Sequence, residues 1–285
     1  MSRTVYVNGA YRPEEEATVS VFDRGFLFAD GVYEVTSVLA GRLIDFHAHM
    51  ARLRRSLAAL SMEAPADEEE ILAIHRELVT RNGVEEGMVY LQVTRGAADR
   101  DFAYPAAGTK PSLVLFTQKA ALRERPMAAT GMKVVSLPDL RWARRDIKTV
   151  QLLYPSMAKM EAKARGADDA WMVEDGFVTE GSSNNAYIVT QDATLVTRPL
   201  SSAILPGITR VSVLRLAAED GLTVEERPFT IEEAKAAREA FITSASTFVM
   251  PVVSIDGAAI GDGAPGPHAK RLREIYIAEA EAAAI

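Results

Sequence analysis

Apolar positions in the first part of the chain come in short β-type runs. Thr4–Gly9 (TVYVNG) ends on Asn8-Gly9, a pair that favours tight hairpin turns. Val32–Phe46 (VYEVTSVLAGRLIDF) holds two β-rich runs around Ala40-Gly41. From His47 the period changes. Met50, Leu53, Leu57 and Leu60 share one helical face. Ile71, Ile74 and Leu78 form a second stripe, which predicts a helix over Asp67–Arg81 stopped by Asn82-Gly83. Strands are expected at Met88–Gly96 and Ser112–Gln118. The charged segment Lys119–Met127, with a proline near its end, reads as a linker.

Beyond it, Gly131–Asp139 has a strand pattern, and a helix is expected over Ser156–Arg165 before Gly166. Asp175-Gly176 marks a hairpin, and Asn185–Pro199 reads as another. Pro206–Gly221 reads as a loop opening a helix, Glu225–Ser246 as strand, helix, strand, and the C-terminal stretch as an amphipathic helix. Hairpins outnumber regular βαβ alternation, so a mixed α+β class is expected rather than a doubly wound sheet. The boundaries implied are a small N-terminal α/β domain (1–120), a linker (121–127) and a larger C-terminal domain (128–285) carrying Lys148.

Composition narrows the chemistry. The 285 residues are 48% hydrophobic and 25% charged, the balance of an ordinary globular protein. The net charge of −7 does not suggest a nucleic-acid surface. There is no cysteine, which excludes a disulfide scaffold, thiolate-bound zinc and a cysteine nucleophile. The four histidines form no H-E-x-x-H pattern, so no metal site is expected. No apolar run has membrane-spanning length, and the N-terminal residues lack the apolar core of a signal peptide. A cytoplasmic protein is the expectation.

Five stretches could carry chemistry. In Arg144–Leu153 (RRDIKTVQLL), Lys148 interrupts an apolar run. Ile147, Val150, Leu152 and Leu153 suggest a partly buried strand, and a desolvated amine can condense with a carbonyl. A surface lysine on an edge strand is the commoner outcome. In Val178–Val189 (VTEGSSNNAYIV), Glu180 could hold a heteroaromatic nitrogen protonated, or the stretch could be a plain polar turn. In Ile204–Arg210 (ILPGITR), a Pro-Gly turn precedes Thr209 and a helix start. The free N–H groups there suit a phosphate, or Thr209 could simply cap the helix. Ile242–Thr247 (ITSAST) offers further hydroxyls, and Arg52 could add a guanidinium. In Gln92–Pro105 (QVTRGAADRDFAYP), Arg100 could fork onto a carboxylate or be an ordinary loop charge.

An amine, an acid, phosphate donors and a carboxylate clamp are the parts of a pyridoxal 5′-phosphate (PLP) site. At this point the chain resembles the D-amino-acid aminotransferases, in the fold-type IV group of PLP enzymes. Seven stretches appear in that family's order: FDRGFLFADGVYEV, HMARLRRS, QVTRGAADR, RWARRDIKTVQLL, VTEGSSNN, LPGITR and FITSAST. The resemblance implies a two-domain fold whose larger, C-terminal part is a pseudo-barrel. It also implies roles. Lys148 matches the Schiff-base lysine, which shuttles a proton between the substrate Cα and the cofactor C4′. Glu180 matches the acid on the pyridine nitrogen, Leu205 an apolar support of the ring, and Arg52 the phosphate arginine. Ile208 and Thr209 match one phosphate cup, and Ser244 and Ala245 a second. Tyr33 and Arg100 match residues holding the α-carboxylate, with the Arg100 loop supplied by the neighbouring subunit of a homodimer. Phe102 stands where a histidine is usual, so one carboxylate donor is lost.

The reaction implied is a ping-pong transamination between a D-amino acid, such as D-alanine, and a 2-oxo acid, such as 2-oxoglutarate. Phe102 leaves room for an (R)-amine transaminase. A branched-chain-type transaminase and an aminodeoxychorismate lyase share the scaffold. From a different class, a non-catalytic small-molecule binder would need neither Lys148 nor Glu180.

Overall fold

The structure is a computed structural model that describes residues 2–285. By its contacts the chain divides into two compact units. The first comprises residues 1–121, 147–151 and 283–285, and the second residues 122–146 and 152–282. The 147–151 segment therefore belongs to the first unit, and Lys148 with it, not to the C-terminal residues as the sequence suggested.

The first unit contains β1 (Thr4–Val7), β2 (Ala10–Pro13), α1 (Arg24–Phe28), β3 (Gly31–Leu39), β4 (Arg42–Leu43), α2 (Phe46–Ala59), α3 (Glu68–Asn82), β5 (Glu86–Thr94) and β6 (Ser112–Lys119). Its sheet has the order β2-β1-β6-β5-β3-β4. The β1–β2 hairpin turns at Asn8 and Gly9, both with positive φ, as Asn-Gly turns require. The apolar stripes of α2 and α3 do what their spacing predicts. Met50, Leu53, Leu57, Ile71, Ile74 and Leu78 all enter one core with Val89, Leu91 and Leu115 of the sheet. Each such side chain contributes roughly 1.5–3 kcal/mol by leaving water. Asp67 caps α3 by accepting from the Glu70 N–H, and Gly83, in the left-handed region, ends it.

The second unit contains α4 (Pro126–Thr130), β7 (Met132–Pro138), α5 (Leu153–Ala164), β8 (Asp169–Glu174), β9 (Phe177–Gly181), β10 (Asn185–Val189), β11 (Thr194–Thr197), α6 (Ile208–Glu219), β12 (Thr223–Glu226), α7 (Ile231–Lys235), β13 (Glu239–Ser244), β14 (Phe248–Ile255), β15 (Ala258–Ala259) and α8 (Pro267–Ala283). Its sheet runs β12-β11-β10-β13-β14-β7-β8-β9, with β15 on β14. Strand β9, the last of that order, lies against β10 in its interior, so the sheet curls on itself. Strands β10 and β11 are buried throughout, which explains their nearly unbroken apolar runs. The expected mixed α/β fold, with a curled sheet in its larger part, is what the chain adopts.

One expectation needs correction and one needs detail. The unit boundary falls between Ala121 and Leu122, inside the expected Lys119–Met127 linker, but the residues after it are packed. Leu122 is buried, α4 begins at Pro126, and Arg273 on α8 donates to the carbonyls of Leu122 and Arg123. The Lys148 segment is not a regular strand. It touches the edge of β3 through a single Val32–Thr149 bridge, with the Tyr33 N–H donating to the Lys148 carbonyl at 3.0 Å.

Candidate active site

Within the first unit, Lys148 is held by its backbone. Its N–H points at the buried Ser56 hydroxyl on α2 at 3.4 Å, and the Val150 N–H donates to the Gly31 carbonyl. Ile147 is in the core. Leu152 and Leu153 are exposed, the latter at 76%, so the apolar run does not wrap the amine as its sequence suggested. The Lys148 Nζ lies 4.1 Å from the Tyr33 ring centroid, a cation–π distance. Tyr33 in turn stacks on Tyr90, and Tyr90 on Phe116. Two of the expected site residues, Lys148 and Tyr33, are thus brought together.

Tyr33 and Glu34 are consecutive on β3, so their side chains leave opposite faces. Glu34 turns toward α2 and is fully buried. Both its oxygens accept from Arg52, at 2.8 and 2.7 Å, and His49 adds a contact at 2.7 Å. Burial alone would raise the Glu34 carboxyl, but the Arg52 guanidinium and the two hydrogen-bonding partners overcome it and hold it at about 2. Arg52 is therefore fixed in a bidentate pair, a partner that the sequence reading did not foresee.

Arg100 lies on the exposed loop after β5. Its guanidinium stands 5.3 Å from the Phe28 ring and 5.4 Å from the Phe102 ring. Phe102 is 79% exposed and packs on Phe28. The loop is tied down by Arg24, which donates to the carbonyls of Asp101 and Ala103, and by Arg95 under the Tyr104 ring at 3.6 Å. Arg24 and Arg95 share the Asp30 carboxylate.

In the second unit, Glu180 is the penultimate residue of β9 and is buried. One oxygen accepts from Arg141 at 2.6 Å. The other accepts from the Leu205 N–H and from Asn185, both at 3.0 Å. Burial pushes the Glu180 carboxyl up, and Arg141 opposes it. Arg141 is itself anchored on Asp139, at 2.9 and 2.7 Å, and Asp139 also accepts from Thr179. Arg145 forks onto Glu174 at 2.9 and 2.7 Å, while Arg144 pairs with Asp146 at the surface. That accounts structurally for the charged residues before Lys148.

Leu205, half-buried, leads into α6. Thr209 is not the cap of this helix. Gly207 is, and no side chain closes the N-terminus. Gly207 is required there, because a Cβ would sit 2.2 Å from the Asn185 amide oxygen. Thr209 is buried and its hydroxyl has no hydrogen-bond partner among the described residues. A buried orphan hydroxyl is costly. Beside the open N–H groups of a helix start it fits a phosphate. Asn185, which touches Gly207, pairs with Thr243 across β10 and β13. The Ser244–Thr247 turn therefore starts from the same strand end, with Ser244 and Thr247 bonded through their hydroxyls at 2.7 Å. These residues fit PLP: a buried acid for a pyridine nitrogen and two donor segments for a phosphate.

Residues 31–255 match the family model described as amino-transferase class IV. The chain belongs to that family. The aminotransferase is 41% identical over 269 residues to a D-alanine aminotransferase of Bacillus licheniformis, covering 94% of each chain. It is 36% identical to a D-alanine aminotransferase of Staphylococcus aureus (strain N315), covering 95% of each. Among solved structures it is similar to a branched-chain aminotransferase from Thermoproteus uzoniensis with norvaline. The TM-score is 0.87 with 28% identity, covering 97% of this chain and 94% of that one. The aminotransferase fold is thus a fold-type IV one. Among the described residues no helix is long and apolar enough to cross a membrane.

Sequence reasoning found the residues with recognisable chemistry and missed those that hold them. Arg141 and Glu34 both lay inside quoted motifs. Glu34 was legible as the residue alternating with Tyr33 on one strand. Asn185 also lay inside a quoted motif, five residues from the Glu180 it bonds, whereas Asp139, two residues before Arg141, lay outside the motifs.

Proposed function

We propose that this transaminase uses PLP and moves an amino group from a D-amino acid, such as D-alanine, to a 2-oxo acid, such as 2-oxoglutarate, in a ping-pong reaction. The observation that carries the substrate class is the 41% identity over nearly the whole chain to an enzyme named D-alanine aminotransferase. The cofactor rests on the buried Thr209 hydroxyl at the uncapped start of α6.

Bound PLP supplies an electrophilic carbonyl and a ring that takes up negative charge. Lys148 would hold the cofactor through its Nζ, the carbonyl oxygen leaving as water; once the substrate amine has displaced it, the freed Nζ would remove the substrate Cα proton and return it, acting as base and acid from one position. Glu180 would accept from the pyridine N–H. Leu205 would support the ring. Arg52, Ile208, Thr209, Ser244 and Ala245 would hold the phosphate. Tyr33 and Arg100 would hold the α-carboxylate, and Phe102 would offer an apolar ring where a second donor would otherwise help. The exposed aromatic side chains of Phe26, Phe102 and Tyr104 support a homodimer in which the Arg100 loop serves the neighbouring active site. A cytoplasmic location agrees with the chain's lack of cysteine.

The test is a set of half-reactions. Protein loaded with PLP is mixed separately with D-alanine, L-alanine, L-leucine and (R)-1-phenylethylamine, and conversion of the cofactor to its amine form is followed by absorbance. D-alanine converts it fastest. Conversion by L-leucine or the phenylethylamine alone would overturn the D-amino-acid assignment.

A further inference from the structure

Glu180 has a lopsided set of partners. An ionised carboxylate has about four lone-pair sites. Among the described residues three are taken: one on Oε1 by Arg141, and two on Oε2 by Leu205 and Asn185. Every partner is a donor. Oε2 is filled, so the remaining acceptor position is on Oε1, the oxygen that Arg141 holds. Among the described residues Arg141 is the sole cation bonded to it. It is itself fixed rather than mobile, since Asp139 accepts from its Nε and Nη2 and from its backbone N–H. The side chains of Arg141 and Glu180 are only 12% and 5% exposed. Water therefore screens the pair little.

We propose that Arg141, anchored by Asp139, is the positioning residue that keeps Glu180 an anion and presents its Oε1 to the pyridine nitrogen. The role rests on the PLP reading above. A pyridine nitrogen and a buried carboxyl share one proton. With a guanidinium beside the carboxylate, the proton belongs on nitrogen. Without it, burial drives the proton onto Glu180, and the ring nitrogen becomes a neutral acceptor. The ring then stores charge poorly, although no atom of Arg141 touches the substrate.

The experiment uses PLP labelled with nitrogen-15 in the ring, bound to the full-length protein, and reads the nitrogen's chemical shift. The wild type and Arg141→Lys, which keeps the positive charge, show a protonated ring nitrogen. Arg141→Gln moves the signal to that of a neutral pyridine nitrogen. Circular dichroism and melting verify that each variant is folded. In the same variant kcat falls roughly tenfold to a hundredfold while KM is nearly unchanged, as when an interaction realised in the transition state is lost. A folded Arg141→Gln protein that keeps a protonated nitrogen would overturn the role. If Arg141→Gln does not fold, Arg141→Lys decides instead, and a neutral nitrogen in it would overturn the role. A wild-type protein that takes up no labelled PLP would overturn the cofactor reading, and with it this one.

Discussion

Replacing Glu34 with glutamine tests whether the buried Glu34–Arg52–His49 cluster is an electrostatic unit. The substitution keeps shape but removes the charge that Arg52 forks onto. A carboxyl held at about 2 rather than 4.5 corresponds to roughly 3 kcal/mol of native-state stability while it is ionised. Removing one partner of a buried pair costs about 3–5 kcal/mol in general, so the two routes agree. The sign fixes the pH window. The native value is below the unfolded one, so the contribution is complete above pH 4.5 and is lost as pH falls through 4.5 toward 2. Glu34→Gln has no such group to titrate. The gap between the two proteins is therefore about 3 kcal/mol at pH 7 and shrinks steadily below pH 4.5. Urea-dependent hydrogen exchange, read on peptides from β3 and α2, measures the local stability of the first unit at each pH. A gap under about 1 kcal/mol at pH 7, or one that stays constant down to pH 3, would refute the reasoning.

Thr209→Val removes a buried hydroxyl that has no partner. It leaves the cofactor-free protein as stable as before, or slightly more so, while PLP affinity falls about tenfold; thermal melting and fluorescence titration separate the two effects. His75 is buried against Phe46 and donates to the Ile71 carbonyl, and burial lowers it to about 4 from 6.5. The unfolded chain gains its proton first, so native stability drops as pH falls from 6.5 toward 4. His75→Phe flattens that part of the stability profile, and an unchanged profile in urea titrations would count against it.

Much of the fold was legible because period and punctuation agreed. The stripes of α2 and α3, the Asn8-Gly9 and Asp175-Gly176 turns, and the helix ending before Gly221 follow local rules that one chain obeys without its neighbours. Lys148 misled for the opposite reason. Its apolar neighbours Leu152 and Leu153 looked like a strand, yet they open α5 at the surface, and the segment is held by backbone contacts to β3 and α2 that only tertiary structure supplies. The candidate site divides the same way. Lys148, Glu180 and the α6 start announce themselves by residue type. Glu34 meets His49 15 positions on, Arg141 meets Glu180 39 positions on, and Asn185 reaches the Leu205 carbonyl 20 positions on, and no local pattern encodes such a partner. Thr209 had two readings, a helix cap and a phosphate donor; it does not cap α6, and its hydroxyl has no partner among the described residues.

The central claim is that Lys148 bonds the carbonyl carbon of PLP. Borohydride reduction of the PLP-loaded protein would make that bond permanent, and mass spectrometry of the digest would locate it. The account predicts the added pyridoxyl phosphate mass on the peptide containing Lys148, and its absence from Lys148→Ala. The same mass on another lysine, or none at all with PLP bound, would contradict it.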